Sequence, residues 1–163
     1  VILGLLAAGG PQTTYDMMCR IDLSIGFFWP FPSSQMYAET KRLERSGFVS
    51  ADQEEFGRRR RLLTVTEAGR EALDIWLSEP TDRPSEIRDI GLLKLYLSDG
   101  SDTHDPVLLA GQQLELHRAR LEQYREIEGL FEGPRSRGQR TIELGVAFEK
   151  VAIEFWENVA SNP

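Results

Sequence analysis

"GFFWPFPSSQMYAETKRLERSGFV", Gly26 to Val49, decides how this chain folds. An aromatic run broken by Pro30 and Pro32 cannot be helical through those residues, because each ring removes a backbone donor and restrains the residue before it. The run predicts a stiff connector, with Trp29 read as a core residue. Ser33 or Ser34 then offers a side-chain oxygen suited to capping a helix, and Ser46-Gly47 suits its end. Met36, Thr40 and Leu43 recur at helical spacing and are expected to face inward. That register turns Ser34, Gln35, Tyr37, Ala38, Lys41, Arg42 and Arg45 outward.

The flanking segments give this helix its context. Val1 to Ala8 is apolar almost all round, as expected of a short buried helix, and Gly9-Gly10-Pro11 stops it. Thr13 or Thr14 is a cap for a second helix that carries Tyr15, Met18, Cys19 and Ile21 and ends by Gly26. Beyond Gly47, Phe48 to Asp52 and Leu62 to Thr66 read as two strands joined by a charged tip containing Gly57, a β-hairpin. Thr66 caps a helix through Leu77 with Ala68, Ala72, Leu73, Trp76 and Leu77 on its apolar side. Pro80 and Pro84 then break the chain, placing a boundary near residues 78–85.

Three helices, a two-stranded wing and a further helix form a winged helix-turn-helix, in which the third helix is the usual reader of the DNA major groove. Ser34, Gln35 and Ala38, near that helix start, are the candidates for meeting bases, with Ser33 beside them in the DNA-binding set. A glutamine pairs with adenine through two hydrogen bonds, and an alanine methyl packs on the thymine methyl. Lys41 and Arg42, further along, suit phosphates.

A formal net charge of -7 argues by itself against nucleic acid, but the distribution of charge points the other way. Lys41, Arg42, Arg45 and Arg58, Arg59, Arg60 and Arg61 supply seven of the nine cations in the first 80 residues. Four consecutive arginines beside Glu54 and Glu55 read in isolation as a solvated charge run. Following a reading helix, the same run favours DNA contact.

The second half is helical. Ile87 to Leu97 forms one apolar-rich helix, and Val107, Ala110, Leu114, His117, Leu121, Tyr124, Glu128 and Phe131 give a second the rhythm of a coiled-coil seam, with His117 as a packing residue. A last helix, about Thr141 to Ala160, is apolar over most of its circumference, more than one partner helix covers. A subunit interface involving Leu114, Leu121, Tyr124, Phe148, Val151, Phe155 and Trp156 is expected, with a twofold homodimer the commonest form. Trp76, Tyr96 and Trp156 are weighed as lining for an apolar effector pocket, although packing is the usual role of such aromatics. The expected architecture is mainly α with a small β-hairpin: a winged helix DNA-binding domain over residues 1–79 and a helical dimerisation and candidate effector domain over 80–163.

Catalysis has little support. Two histidines and one cysteine give no metal-ligand spacing, and no nucleophile elbow, phosphate loop or dinucleotide glycine pattern is present. No cofactor, metal or catalytic residue is expected. No uninterrupted apolar run is long enough to span a bilayer, and Cys19 alone forms no internal disulfide, so no membrane partner and a cytoplasmic location are expected.

The chain resembles the PadR family of bacterial transcriptional regulators. The resemblance is carried by Ile2 to Leu6, Gly26 to Pro30, Gln35-Met36-Tyr37, Leu43-Glu44, Gly47-Phe48-Val49, the arginine-bearing wing from Gly57 to Arg61 and the exit motif Thr66 to Leu73. It implies a homodimer in which Tyr37 and Lys41 contact the DNA backbone and the wing lies along the flanking groove. Glu39, Thr40 and Leu63 depart from the family's common residues. The expectation is a homodimeric DNA-binding regulator, a repressor on a pseudo-palindromic operator, released by a small apolar or aromatic effector. The alternative is a protein-interaction adaptor that keeps the winged helix as scaffold and docks partners through its apolar helices.

Overall fold

The computed structural model describes residues 1–53, 60–82, 84–100, 104–129 and 136–162. The chain divides into two compact units, Val1–Arg83 and Pro84–Pro163. The first holds helices α1 (Ile2–Gly9), α2 (Thr14–Asp22) and α3 (Ser33–Arg45), strands β1 (Val49–Gln53) and β2 (Arg61–Val65), and helix α4 (Glu67–Ser78). The second holds α5 (Ile90–Leu97), α6 (Pro106–Gly129) and α7 (Arg137–Ser161). The first unit is a winged helix-turn-helix and the second is helical, the fold class the sequence predicts.

In the first unit, Ile2, Leu6, Met17, Ile21, Met36, Leu43, Val49, Leu63 and Val65 build one core. α2 starts at a reciprocal cap: the Asp16 N–H donates to Thr13 Oγ1 at 3.1 Å, and the Thr13 N–H donates to the Asp16 carboxylate at 2.9 Å. Its buried residues are Met17 and Ile21, one turn apart, while Tyr15 is exposed. Of the residues expected on this helix, Ile21 is buried and Met18 packs against the core, while Met17, one turn before Ile21, is the inward residue the sequence reading did not name. A short 3-10 turn, Ile25–Phe27, precedes the proline run.

β1 and β2 pair antiparallel, Val49 opposite Val65 and Gln53 opposite Arg61. Gln12 adds a second backbone partner to β2: its N–H donates to the Leu63 carbonyl at 3.2 Å, and the Leu63 N–H returns a bond at 2.9 Å. The Gln12 side chain is buried and donates to the Leu5 carbonyl at 2.9 Å. The stretch after Gly10, which the sequence suggests is only a turn, thus ties α1 to the wing.

Three expectations for the apolar faces are corrected. Trp29 is not a core residue; it is 59% exposed and Phe28 is similar, whereas Ile25 and Phe31 pack against the core. On α4, Trp76 and Leu77 are each 64% exposed; Ala72 and Leu73 are half-buried, and Trp76 sits at the rim of an open groove with Leu3, Phe31 and Leu73. On α6, Ile127 takes the inward position expected of Glu128, and Leu109 that of Val107. Covering Ile127 leaves the Glu128 carboxylate in water, which avoids a desolvation cost. Phe131 lies outside the described residues.

In the second unit, α6 and α7 pack along each other, and Trp156 is fully buried with Leu109, Ala110 and Leu114. α5 begins at Ile90, later than expected, because Asp89 caps it by accepting from the Leu92 N–H at 3.0 Å. His117 is more than a packing residue. Its Nδ1 lies 2.6 Å from Glu149 Oε2, and Glu149 is only 2% exposed. A buried carboxylate needs such a partner to offset lost hydration. Burial first, and the Glu149 charge second, raise the nearby Tyr124 hydroxyl above its ordinary pKa.

Gly69 tests the joint of the first unit. A Cβ there would collide with the Phe48 carbonyl, a backbone atom that cannot swing away. Gly69→Ala is expected to cost about 1–3 kcal/mol in urea denaturation of the full chain. Gly111→Ala, in open space on α6, is expected to raise stability by about 0.5–1 kcal/mol. A neutral Gly69→Ala would refute the close approach.

Candidate nucleic-acid interface

α3 has two chemically distinct faces. Met36, Thr40 and Leu43 are buried, as the sequence pattern predicts. Thr40 is the one polar member of this face, satisfied by donating its hydroxyl to the Met36 and Tyr37 carbonyls, each at 3.0 Å. The opposite face carries Ser33, Ser34, Gln35, Tyr37, Ala38, Lys41, Arg42 and Arg45, all exposed. Tyr37 is 50% exposed, so its ring is half free for a partner.

The start of α3 differs from expectation. Neither serine caps it through its side chain; Pro32 is the capping position, and the Met36 N–H bonds to the Pro32 carbonyl at 3.0 Å. Proline fixes the extended approach to the helix, and the two serine hydroxyls are left exposed beside the first-turn N–H groups. Such a terminus attracts anions.

The end of α3 is set by Gly47, whose φ of 74° lies in the left-handed region. The Phe48 N–H bonds to the Leu43 carbonyl and the Gly47 N–H to the Glu44 carbonyl, each at 3.0 Å. This pair of reversed bonds is a Schellman stop, and Phe48 beside Leu43 supplies its apolar contact. Thr66 then joins both ends of the hairpin. Its hydroxyl donates to the Gly47 carbonyl at 2.7 Å and accepts from the Gly69 N–H at 3.1 Å, so it caps α4 while holding the exit of α3.

Ion pairs link the basic residues to α3 itself. Arg42 Nε lies 2.8 Å from Glu39 Oε2, and Arg61 at the start of β2 pairs with Glu44. The Arg45 Nε–H donates to the Lys41 carbonyl at 3.3 Å. Arg60 is exposed, and its charge reaches Asp16 on α2. Arg58 and Arg59 lie outside the described residues. Glu39 and Glu44 are the residues that the sequence reading left without a pairing role; the three-residue spacing of Glu39 and Arg42 was the available signal for the first pair, and nothing local announced the second.

The expected dimerisation residues fall into two sets. Leu114, Leu121, Tyr124 and Trp156 are buried between α6 and α7 of the same chain. Phe148, Val151 and Phe155 stay exposed on α7 and, with Leu144, follow heptad spacing along one stripe. Of the three aromatics weighed as pocket lining, Trp156 is core, while Trp76 and Tyr96 are largely exposed. Among the described residues, no acidic, histidine or cysteine group is arranged to hold a metal ion, and no helix is long and apolar enough to cross a membrane.

Comparison with known proteins places this geometry. Residues 2–75 match the model of the transcriptional regulator PadR-like family, and residues 87–162 match that of the virulence activator alpha C-term. The negative transcriptional regulator PadR of Bacillus subtilis (strain 168) is 29% identical over 133 residues, covering 80% of this chain and 71% of that protein. The crystal structure of Bacillus subtilis PadR in complex with operator DNA is similar at a TM-score of 0.85 and 24% identity, covering 98% of this chain and 94% of that one. The same protein in complex with p-coumaric acid is similar at a TM-score of 0.78 and 25% identity, again over 98% and 94%.

The cap of α2 gives this unit an acid limit. Hydrogen bonds from the Thr13 backbone and hydroxyl, helped by the Arg60 charge, hold the Asp16 carboxyl below its usual range against the opposing effect of burial. A carboxyl depressed in the folded state contributes stability that is complete above its unfolded pKa and lost as pH falls through the folded value. Asp16→Asn is expected to flatten the loss of stability below about pH 4, measured by denaturation across acid pH. An unchanged acid slope would contradict the cap's role.

Proposed function

Since the chain belongs to the PadR-like family of transcriptional regulators, we propose that it is a sequence-specific DNA-binding repressor that acts as a homodimer on a pseudo-palindromic operator. The observation that carries the reading is the outer face of α3, where exposed Ser34, Gln35 and Ala38 stand at the helix start and Lys41 and Arg42 further along. Near the helix start, Gln35 presents both a donor and an acceptor to an adenine edge, and Ala38 a methyl to thymine. Tyr37, Lys41, Arg42 and the arginines Arg58, Arg59, Arg60 and Arg61 serve phosphates, which fix register without reading sequence. Residues 1–79 act as the DNA-binding domain and 80–163 as the dimerisation and effector domain.

Support for DNA as the partner comes from the Bacillus subtilis relative solved with operator DNA, and support for repression from the name of the negative regulator. The exposed stripe Leu144, Phe148, Val151 and Phe155 supports a second copy of the chain as the cover for α7. A dimer sets two α3 helices at half-sites about one DNA turn or a multiple apart. The relative's complex with p-coumaric acid supports release by a small apolar or aromatic effector. Such a ligand acts through different affinities for the DNA-bound and free geometries, since equal affinity shifts nothing. A cytoplasmic protein without cofactor completes the reading.

Binding of the purified protein to DNA upstream of its own gene, across salt concentrations, tests this. The wild type is expected to bind that DNA more tightly than random duplex. Lys41→Ala is expected to weaken all sequences alike and lower the log–log salt slope by about one. Gln35→Ala is expected to cost about 1–3 kcal/mol on the operator and little on random DNA. Uniform losses for both variants would remove the base-reading role of Gln35, and absence of binding to any DNA would remove the proposal.

A further inference from the structure

Resting on the DNA-binding reading above, we propose that Glu39 and Glu44 are built-in counter-anions of the interface: they hold Arg42 and Arg61 until phosphate replaces them, and so lower the affinity for DNA of every sequence. α3 carries Lys41, Arg42 and Arg45 and, unusually for a helix presented to a polyanion, also two carboxylates. Neither carboxylate is spent on the core. Glu39 accepts from Arg42 Nε at 2.8 Å within one turn, and Glu44 binds Arg61 across from the base of the wing.

The exposure of these pairs makes exchange feasible. The Arg42 side chain is 59% exposed and that of Arg61 48%, with the two glutamates about a third exposed. Ion pairs this open to water hold weakly and are screened by salt. A buried pair would lock the arginine away; an open pair releases it to a stronger, bidentate partner such as a phosphate.

Exchange carries a cost that every DNA sequence meets equally. An arginine leaving a carboxylate for a phosphate releases a DNA counterion and also strands a carboxylate near the polyanion. The net electrostatic gain per contact is therefore smaller than for a free arginine. Non-specific binding, which consists almost wholly of such contacts, is weakened by these two pairs. Operator binding adds base contacts from the start of α3, which these carboxylates do not touch. The same cost applies on the operator, so both affinities fall together and their ratio is left to the base contacts.

The test compares Glu39→Gln, Glu44→Gln and the double variant with Glu71→Gln, a charge-matched control on α4 away from these pairs. The probes are a random-sequence duplex and the duplex enriched from a random pool by the wild-type chain. Each α3 variant is expected to bind the random and the enriched duplex about two- to fivefold more tightly alike at moderate salt, with a steeper salt slope. The control is expected to move both affinities little, and circular dichroism is expected to show folded protein throughout. Equal gains in all variants and the control would overturn the inference in favour of plain net charge. A selective loss on the enriched duplex would overturn it in favour of base reading by Glu39. Unchanged binding would overturn it outright while leaving the DNA-binding reading intact, whereas failure of the wild type to bind any duplex would remove both.

Discussion

The left-handed turn at Gly47 is the constraint on which the presentation of α3 depends. A residue with a Cβ is strained at that φ, so the stop occurs at glycine, and the two reversed hydrogen bonds close the helix before β1 begins. Thr66 then holds the Gly47 carbonyl with one side of its hydroxyl and starts α4 with the other. Because Gly69 lets α4 approach the Phe48 carbonyl closely, helix, wing and exit helix meet within a few residues. The direction of α3 and the origin of the wing are fixed by the same backbone atoms. Preorganisation of this kind reduces the ordering cost of engaging a partner.

Much of that joint was legible in the sequence. Met36, Thr40 and Leu43 identify the inward face of α3 through their spacing, and Ser46-Gly47 and Thr66 announce the stop and the next start. What escaped was set by contacts distant in sequence. Nothing local says that Gln12 will pair with Leu63, since the bridge is made of backbone atoms and needs β2 to be in place first. Pro32 in place of a serine cap follows from the chain's approach to the helix, which propensity does not encode.

The aromatic residues were the least legible. Trp29, Trp76 and Trp156 have the same side chain, yet one is core and two are exposed. Size and hydrophobicity favour burial in each case; only the position where a core ends decides it. The exposed set leaves apolar surface on both units, and the heptad stripe on α7 is the most regular part of it. The buried pair His117–Glu149 shows the opposite economy: polar groups lie inside the helical unit, where each satisfies the other at 2.6 Å. An acidic chain thus arranges a local basic face, with its own carboxylates among the cations, rather than relying on overall charge.

Selection from a random duplex pool, run in parallel with the wild-type chain and with Gln35→Ala, tests most directly whether the outer face of α3 reads sequence. The account predicts a two-part motif with symmetric halves for the wild type, and the same spacing with one relaxed position in each half for the variant. Identical motifs from both proteins, or no enrichment from either, would contradict it.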